Sequence, residues 1–381
     1  MVSNIYLDYM ATTPVDPRVV AVMQNCLSGD RQFGNPSSLH YFGFEARALI
    51  DQARTQVANL IHATPADIIW TSGATESINL ALKGAALFYQ RQGRHIITMA
   101  TEHKAVLETC RYLQSIGFEV TYLLPEKSGL LSLDVLKAAI RQDTMLASIM
   151  HVNNETGVIQ DIESMGVLLR EKGVLFHVDA AQSVGKLSID VKKMSIDLLS
   201  MTAHKIYGPK GIGALYVRRQ PRVQLIAQML GGDADNFLRA GTLPTHQIAG
   251  MGKAFEIAAE NRRDDMQRIA LLRDRLWKNI SVLDGIILNG DEKKRIAGCL
   301  NIQIKDIDAD QFLKALSTVA ISTGSACNAI DPEPSHVLLA MGLSRVEANR
   351  SFRLSIGRFT TDVEIDVASE YIIKTVSSLR G

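Results

Sequence analysis

Leu175-Phe176-His177-Val178-Asp179-Ala180-Ala181-Gln182 and Leu198-Leu199-Ser200-Met201-Thr202-Ala203-His204-Lys205-Ile206-Tyr207-Gly208-Pro209-Lys210-Gly211 share one pattern: a short apolar run, then small and polar residues. Such a run bounded by turn formers reads as a buried strand. The residues just after it then lie at the strand's carboxyl end, where open α/β sheets meet their ligands. The pattern extends outward in both directions. Further strands are predicted at 96–99, 120–123, 146–152 and 214–217, alternating with amphipathic helices at 45–61, 76–89, 104–116 and 133–140. Repeated β-α units from about 45 to 220 predict an α/β fold, a parallel sheet with helices on both faces. A stretch from about 247 to 280, dense in Glu, Arg and Lys, reads as a helical connector between two lobes. Apolar runs at 285–288, 300–304, 319–322 and 352–356 then alternate with helical stretches, which predicts a smaller α+β lobe.

The length of 381 residues agrees with two domains. Lys and Arg number 41 against 40 Asp and Glu, a formal charge of +1, so no net field draws the chain to nucleic acid or to an anionic membrane. Four widely spaced cysteines contain no CxxC pair, which argues against zinc and dithiol redox chemistry and for a reducing compartment. The first residues lack the pattern of a signal peptide, and no apolar run is long enough to span a bilayer, so a cytoplasmic protein is expected.

Four places carry chemistry. Thr71-Ser72-Gly73-Ala74-Thr75-Glu76 follows an apolar run and opens a helix, which makes it a candidate phosphate cup or an ordinary glycine-containing loop. Asp179 ends a buried strand and is either a ligand-facing acid or a helix cap; His177 shares its face, but no third metal ligand stands at a recognisable spacing. Lys205 ends another strand beside hydroxyl and imidazole groups, where desolvation would make it a nucleophile and exposure would make it an ordinary surface lysine. Cys327 sits in Ser322-Thr323-Gly324-Ser325-Ala326-Cys327-Asn328, among neighbours with little to bury. It is therefore expected to be accessible, whereas Cys26, Cys110 and Cys299 read as inert core thiols.

Taken in order, these places and the stretches between them resemble one family. They are Tyr6-Leu7-Asp8-Tyr9 with Ala11-Thr12-Thr13-Pro14, Phe33-Gly34-Asn35-Pro36-Ser37-Ser38, residues 71–76, Thr101-Glu102-His103-Lys104, His151-Val152-Asn153-Asn154-Glu155-Thr156-Gly157, residues 177–182, 204–211 and 324–327. The chain resembles the cysteine desulfurases of the NifS/IscS type, fold-type I pyridoxal-phosphate (PLP) enzymes of the class-V aminotransferase family. The resemblance implies a large PLP-binding domain over 14–255 with a mostly parallel, seven-stranded-type sheet. It also implies a small domain made of 1–13 and 256–381, carrying the cysteine loop at about 322–334.

The resemblance assigns roles residue by residue. Lys205 would hold PLP covalently, Asp179 would pair with the ring nitrogen, Gln182 would bond the ring oxygen and His103 would stack on the ring and move protons. Ala74, Thr75, Thr202 and His204 would hold the phosphate, with Ala203 also binding the cofactor and Thr242 reaching over from a second subunit of a homodimer. Asn154, also near the cofactor, and Arg353 would take the substrate carboxylate. L-cysteine would give L-alanine, with its sulfur left on Cys327 as a persulfide for a protein acceptor such as an iron–sulfur scaffold or a sulfur-relay protein; the sulfur could serve cluster assembly or tRNA or DNA thiolation. No metal, membrane or direct nucleic-acid contact is expected. A selenocysteine lyase or another class-V PLP enzyme is the alternative, and Cys327 argues against a plain aminotransferase. Two departures stand out: Asp233-Ala234-Asp235 before Arg239-Ala240-Gly241-Thr242, and an end at Arg380-Gly381 without the tail of longer IscS-type members.

Overall fold

The computed structural model describes residues 4–28, 32–232, 237–323 and 333–381. The chain starts with β1 (Ile5–Tyr6), α1 (Pro17–Ser28) and α2 (Tyr41–Leu60). The predicted alternation follows as β2 (Ile68–Thr71), α3 (Ala74–Tyr89), β3 (His95–Met99), α4 (Lys104–Ser115), β4 (Glu119–Leu123), α5 (Leu133–Ala139), β5 (Thr144–Met150), α6 (Ile162–Glu171), β6 (Leu175–Asp179), β7 (Leu198–Thr202) and β8 (Gly213–Val217). The long α7 (Thr245–Ile280) leads to β9 (Ile286–Leu288), β10 (Cys299–Ile304), α8 (Ala309–Ala315), β11 (Val319–Ala320), β12 (Ser322–Thr323), α9 (His336–Ala340), α10 (Arg345–Asn349), β13 (Ser351–Ser355) and α11 (Asp362–Leu379). Among the described residues no helix is long and apolar enough to cross a membrane.

The large sheet has seven strands in the order β2-β8-β7-β6-β5-β3-β4. It is parallel except at β8, which runs antiparallel to both β7 and β2. The sequence reading of 214–217 as one more unit of a parallel sheet is corrected here. Residues 203–212 contain no helix, and a parallel return needs a crossover of a dozen or more residues, so the chain turns back as a hairpin. Neighbouring residues face opposite sides of this sheet, so the first core has two layers: Ile97 and Ala147 pack with Ile50, Trp70, Phe176 and Phe255, while Ile96 and Leu146 pack with Ile78, Leu82 and Leu113.

A second core forms around the antiparallel sheet β12-β13-β10-β9, where Leu300, Ile302, Phe352 and Leu354 pack against Phe312, Ile365 and Ile372. Ile5 and Leu7 from the chain start belong to it, and β1 pairs in parallel with β11. Helix α7 links the two cores: Ile248, Met251 and Phe255 lie in the first, and Ile269, Leu272 and Leu276 in the second. This brings β13 and the β1 segment over the carboxyl ends of the large sheet. Cys327 and Asp233-Ala234-Asp235 lie outside the described residues.

Candidate active site

The carboxyl ends of β2, β3, β5, β6 and β7 open onto one cavity of about 960 Å³. Asp179 is the last residue of β6, and Lys205 lies three residues beyond β7. His103 comes from the turn after β3 and Asn154 from the turn after β5, while β13 supplies Arg353 from the second core. All five line the cavity, together with Gln182. Lys205 Nζ donates to the backbone carbonyl of Met10 at 2.6 Å, which ties the lysine to the chain's first segment.

One end of the cavity suits a phosphate. Helix α3 begins at Ala74 after Gly73, whose position gives it no side-chain cap, and Ala74, Thr75, Thr202 and His204 line the cavity there. Free N–H groups at a helix start carry partial positive charge and bind anions. The space is kept open by glycine: a Cβ on Gly213 of β8 would lie 2.6 Å from the Gly73 Cα and 2.5 Å from the Met201 carbonyl oxygen. Glu76, in the first turn of α3, accepts from the Ser72 N–H (2.6 Å) and is paired with Arg239 (2.9 Å), so its charge is balanced beside the cup. His204 bonds Thr12 Oγ1 through Nδ1 at 3.1 Å, and burial pushes it down to about 4, so its imidazole is neutral at pH 7.

The middle of the cavity holds the acid, the base and the amine. Burial raises the Asp179 carboxyl, while His103 and Lys205 nearby draw it down; the Ala181 N–H donates to its Oδ1 at 2.9 Å. His103 caps α4, with its Nδ1 accepting from the Ala105 N–H at 3.1 Å. That bond fixes the neutral tautomer, which leaves the proton on Nε2. Burial holds His103 below the usual histidine range. His177 has a different role. Its Nδ1 bonds Ser148 Oγ (2.8 Å) and its Nε2 bonds Ser200 Oγ (2.9 Å), and burial pushes it down to about 3. Both nitrogens are taken by flanking strands, so His177 ties the sheet together.

At the other end stand two buried polar atoms without partners among the described residues, Asn154 Oδ1 and Arg353 Nε. The Arg353 guanidinium is held by Asp8 Oδ1 (2.7 Å), Ser322 Oγ (3.1 Å) and the Asn154 carbonyl (2.7 Å). Orientation is thus fixed while Nε–H lacks an acceptor among the described residues, an arrangement that a bound carboxylate would complete. Next to it, Glu155 accepts from Ser335 Oγ, and burial pushes its carboxyl up to about 7. His336 Nε2 bonds the Glu102 carbonyl at 2.9 Å.

Two assigned residues are not at the cavity wall: Ala203 is fully buried, and Thr242 is exposed and away from the cavity of its own chain. The sequence reading gave no role to Met10, Glu155 or Lys186. Met10 acts through its backbone, for which a side-chain motif gives no signal. Glu155 stood inside a quoted motif, but only burial sets its charge. Lys186 stands four residues after Gln182 in a run of turns, where the sequence displays no regular face to read.

These groups fit PLP on the structure's own terms: an anion cup, an amine, a buried acid and unfilled polar atoms where an amino acid's carboxylate would lie. Residues 5–367 match the Aminotransferase class-V family. Over 377 residues the chain is 53% identical to Cysteine desulfurase IscS of Pectobacterium atrosepticum, covering 99% of this chain and 93% of the relative. A solved NifS-like protein superimposes with a TM-score of 0.92 at 35% identity, covering 99% of this chain and 100% of that one. The structure titled SspA in complex with cysteine has a TM-score of 0.82 at 41% identity, covering 94% of this chain and 100% of that one. With nearly its whole length matched in sequence and in fold, the chain belongs to the class-V aminotransferase family, among the IscS and NifS-like proteins.

Proposed function

We propose that this chain is a PLP-dependent cysteine desulfurase that converts L-cysteine to L-alanine and leaves the sulfur as a persulfide on Cys327. The observation that carries the reading is the convergence of Lys205, Asp179, His103 and the open start of α3 on one cavity. Lys205 would hold PLP, Asp179 would face its ring nitrogen, and Ala74, Thr75, Thr202 and His204 would receive its phosphate. Bound there, PLP supplies an electron sink for bonds at the substrate's α- and β-carbons. Arg353 and Asn154 orient the substrate carboxylate. Lys205 Nζ and His103 Nε2 are the groups placed to move protons. The Cys327 thiolate attacks the substrate sulfur, the carbon–sulfur bond breaks, and the carbon gains a proton. L-cysteine and a thiol thus become L-alanine and a persulfide, with no external oxidant needed.

The same reading makes the protein a cytoplasmic homodimer in which Thr242 serves the partner's cup, and gives the persulfide to an acceptor protein. It divides the chain into 14–255 and 1–13 with 256–381, a division supported by the two separate cores. The test is alanine formation from L-cysteine with a thiol reductant present, comparing wild type with Cys327→Ala. Alanine from the wild type and background from the variant is the expected result. A wild type that binds PLP and makes no alanine would overturn it.

A further inference from the structure

Lys186 is a second lysine beside Lys205, and the mechanism above does not use it. Both line a small cavity of about 30 Å³ behind Met10. No carboxylate pairs with Lys186 among the described residues, and burial, with Lys205 and Arg353 nearby, pushes it down to about 7. Burying an amine without an acid partner is costly, so a compensating contact is expected. The contact present is a hydrogen bond of 3.2 Å from Lys186 Nζ to Gln182 Oε1. Gln182 is itself buried, and its Nε2 donates at 2.9 Å to the Met10 carbonyl, the oxygen that also receives Lys205 Nζ.

Donor chemistry fixes the direction of this chain. In its protonated form the Lys186 amine only donates, so the amide atom facing it is then oxygen. A carbonyl only accepts, so the amide atom facing Met10 must be nitrogen. Without Lys186 the Gln182 amide keeps only its Met10 contact, and rotation by half a turn would present its oxygen to the cofactor side instead. We propose that Lys186 is a positioning residue that locks the Gln182 amide with its N–H edge toward Lys205, so that Gln182 presents a hydrogen-bond donor to the electron-rich ring oxygen of PLP. The inference rests on the PLP reading above. Lys186 itself touches neither cofactor nor substrate; it acts through Gln182.

The test is a double-mutant cycle read by equilibrium binding of PLP to the cofactor-stripped full-length protein. Losing one oriented hydrogen bond to a charged acceptor weakens binding about tenfold or more. Lys186→Met and Gln182→Ala should therefore each weaken PLP binding by about tenfold, and the double variant should lose no more than either alone. Lys186→Arg, which keeps a donor, should stay within about threefold of wild type. Gln182→Glu keeps the acceptor for Lys186 but has no N–H for the ring, so it should bind PLP as weakly as Gln182→Ala, and wild-type affinity in it would refute the proposal even if Lys186→Met fails to fold. Wild-type affinity in Lys186→Met or in Gln182→Glu overturns the proposal, as do additive losses in the double variant. A wild type that binds no PLP instead overturns the underlying cofactor reading, and the proposal with it.

Discussion

Glu155→Gln should change how stability depends on pH, in a direction that the burial of Glu155 fixes. Glu155 is 4% exposed and its carboxyl is pushed from 4.5 up to about 7 by burial. In the unfolded chain it ionises at its ordinary value. Between about pH 4.5 and 7 the folded protein therefore holds a proton that the unfolded chain has released, so stability falls as pH rises through this window and levels off above it. At 1.36 kcal/mol per unit the full cost is roughly 3 kcal/mol above pH 7. Glutamine keeps an oxygen to accept from Ser335 Oγ and has no charge to bury. With an unfolding entropy of about 2.1 cal/mol/K per residue, this chain loses roughly 0.8 kcal/mol per degree near its midpoint. The Tm of Glu155→Gln minus that of wild type should then rise by about 3 °C from pH 5 to pH 8. The assay is thermal melting of both proteins, cofactor-free and at one concentration, across that range. A Tm difference that stays constant within a degree would refute the reasoning, since it would mean that Glu155 is ionised in the folded protein throughout.

Three further outcomes follow from the site. Arg353→Lys keeps the charge but loses the planar fork that holds Asp8 and the Asn154 carbonyl, so KM for L-cysteine should rise by about 10- to 100-fold with a smaller effect on kcat; an unchanged KM would remove Arg353 from carboxylate binding. His177→Ala strands the hydroxyls of Ser148 and Ser200 and opens a cavity, which should cost about 2–4 kcal/mol in melting experiments; undiminished stability with activity that depends on added metal would instead make His177 a ligand. Gly213→Ala forces a Cβ against the Met201 carbonyl and Gly73, so it should destabilise by about 1–3 kcal/mol and weaken PLP binding as the cup deforms; wild-type PLP affinity in a melting-competent variant would show that the cup does not need this approach.

Much of the large lobe was legible because its cause is local. Apolar runs such as 175–178 and 198–201 are bounded by turn-forming residues, and helices such as α4 and α5 carry apolar residues at helical spacing. The hairpin to β8 was missed in direction because strand polarity depends on the length and content of the connection, and 214–217 was read as one more member of the repeated β-α units over 45–220. Helix α6 (Ile162–Glu171) was not read although its apolar residues recur at helical spacing, and β2 (Ile68–Thr71) was read only as the apolar run before the cup, since four residues carry too little pattern to separate strand from helix. At the site, Lys205, Asp179 and His103 were visible as chemistry at strand ends. The separation of His177 from Asp179 was not, because only the lateral neighbours Ser148 and Ser200 show that one histidine is satisfied within the sheet.

The sequence alone determined which residue types stand at the ends of which strands, since alternation and turn chemistry are properties of neighbours along the chain. Tertiary structure decided the charges and the company of those residues. Asp8, Met10, Asn154 and Arg353 meet only because β1 and β13 are brought over the large sheet, with contacts spanning up to 345 positions in sequence. Glu155, Lys186 and His204 carry their charge states because burial removes the water that would stabilise their ions, and burial is a property of the folded volume, to which the order of residues gives no direct access.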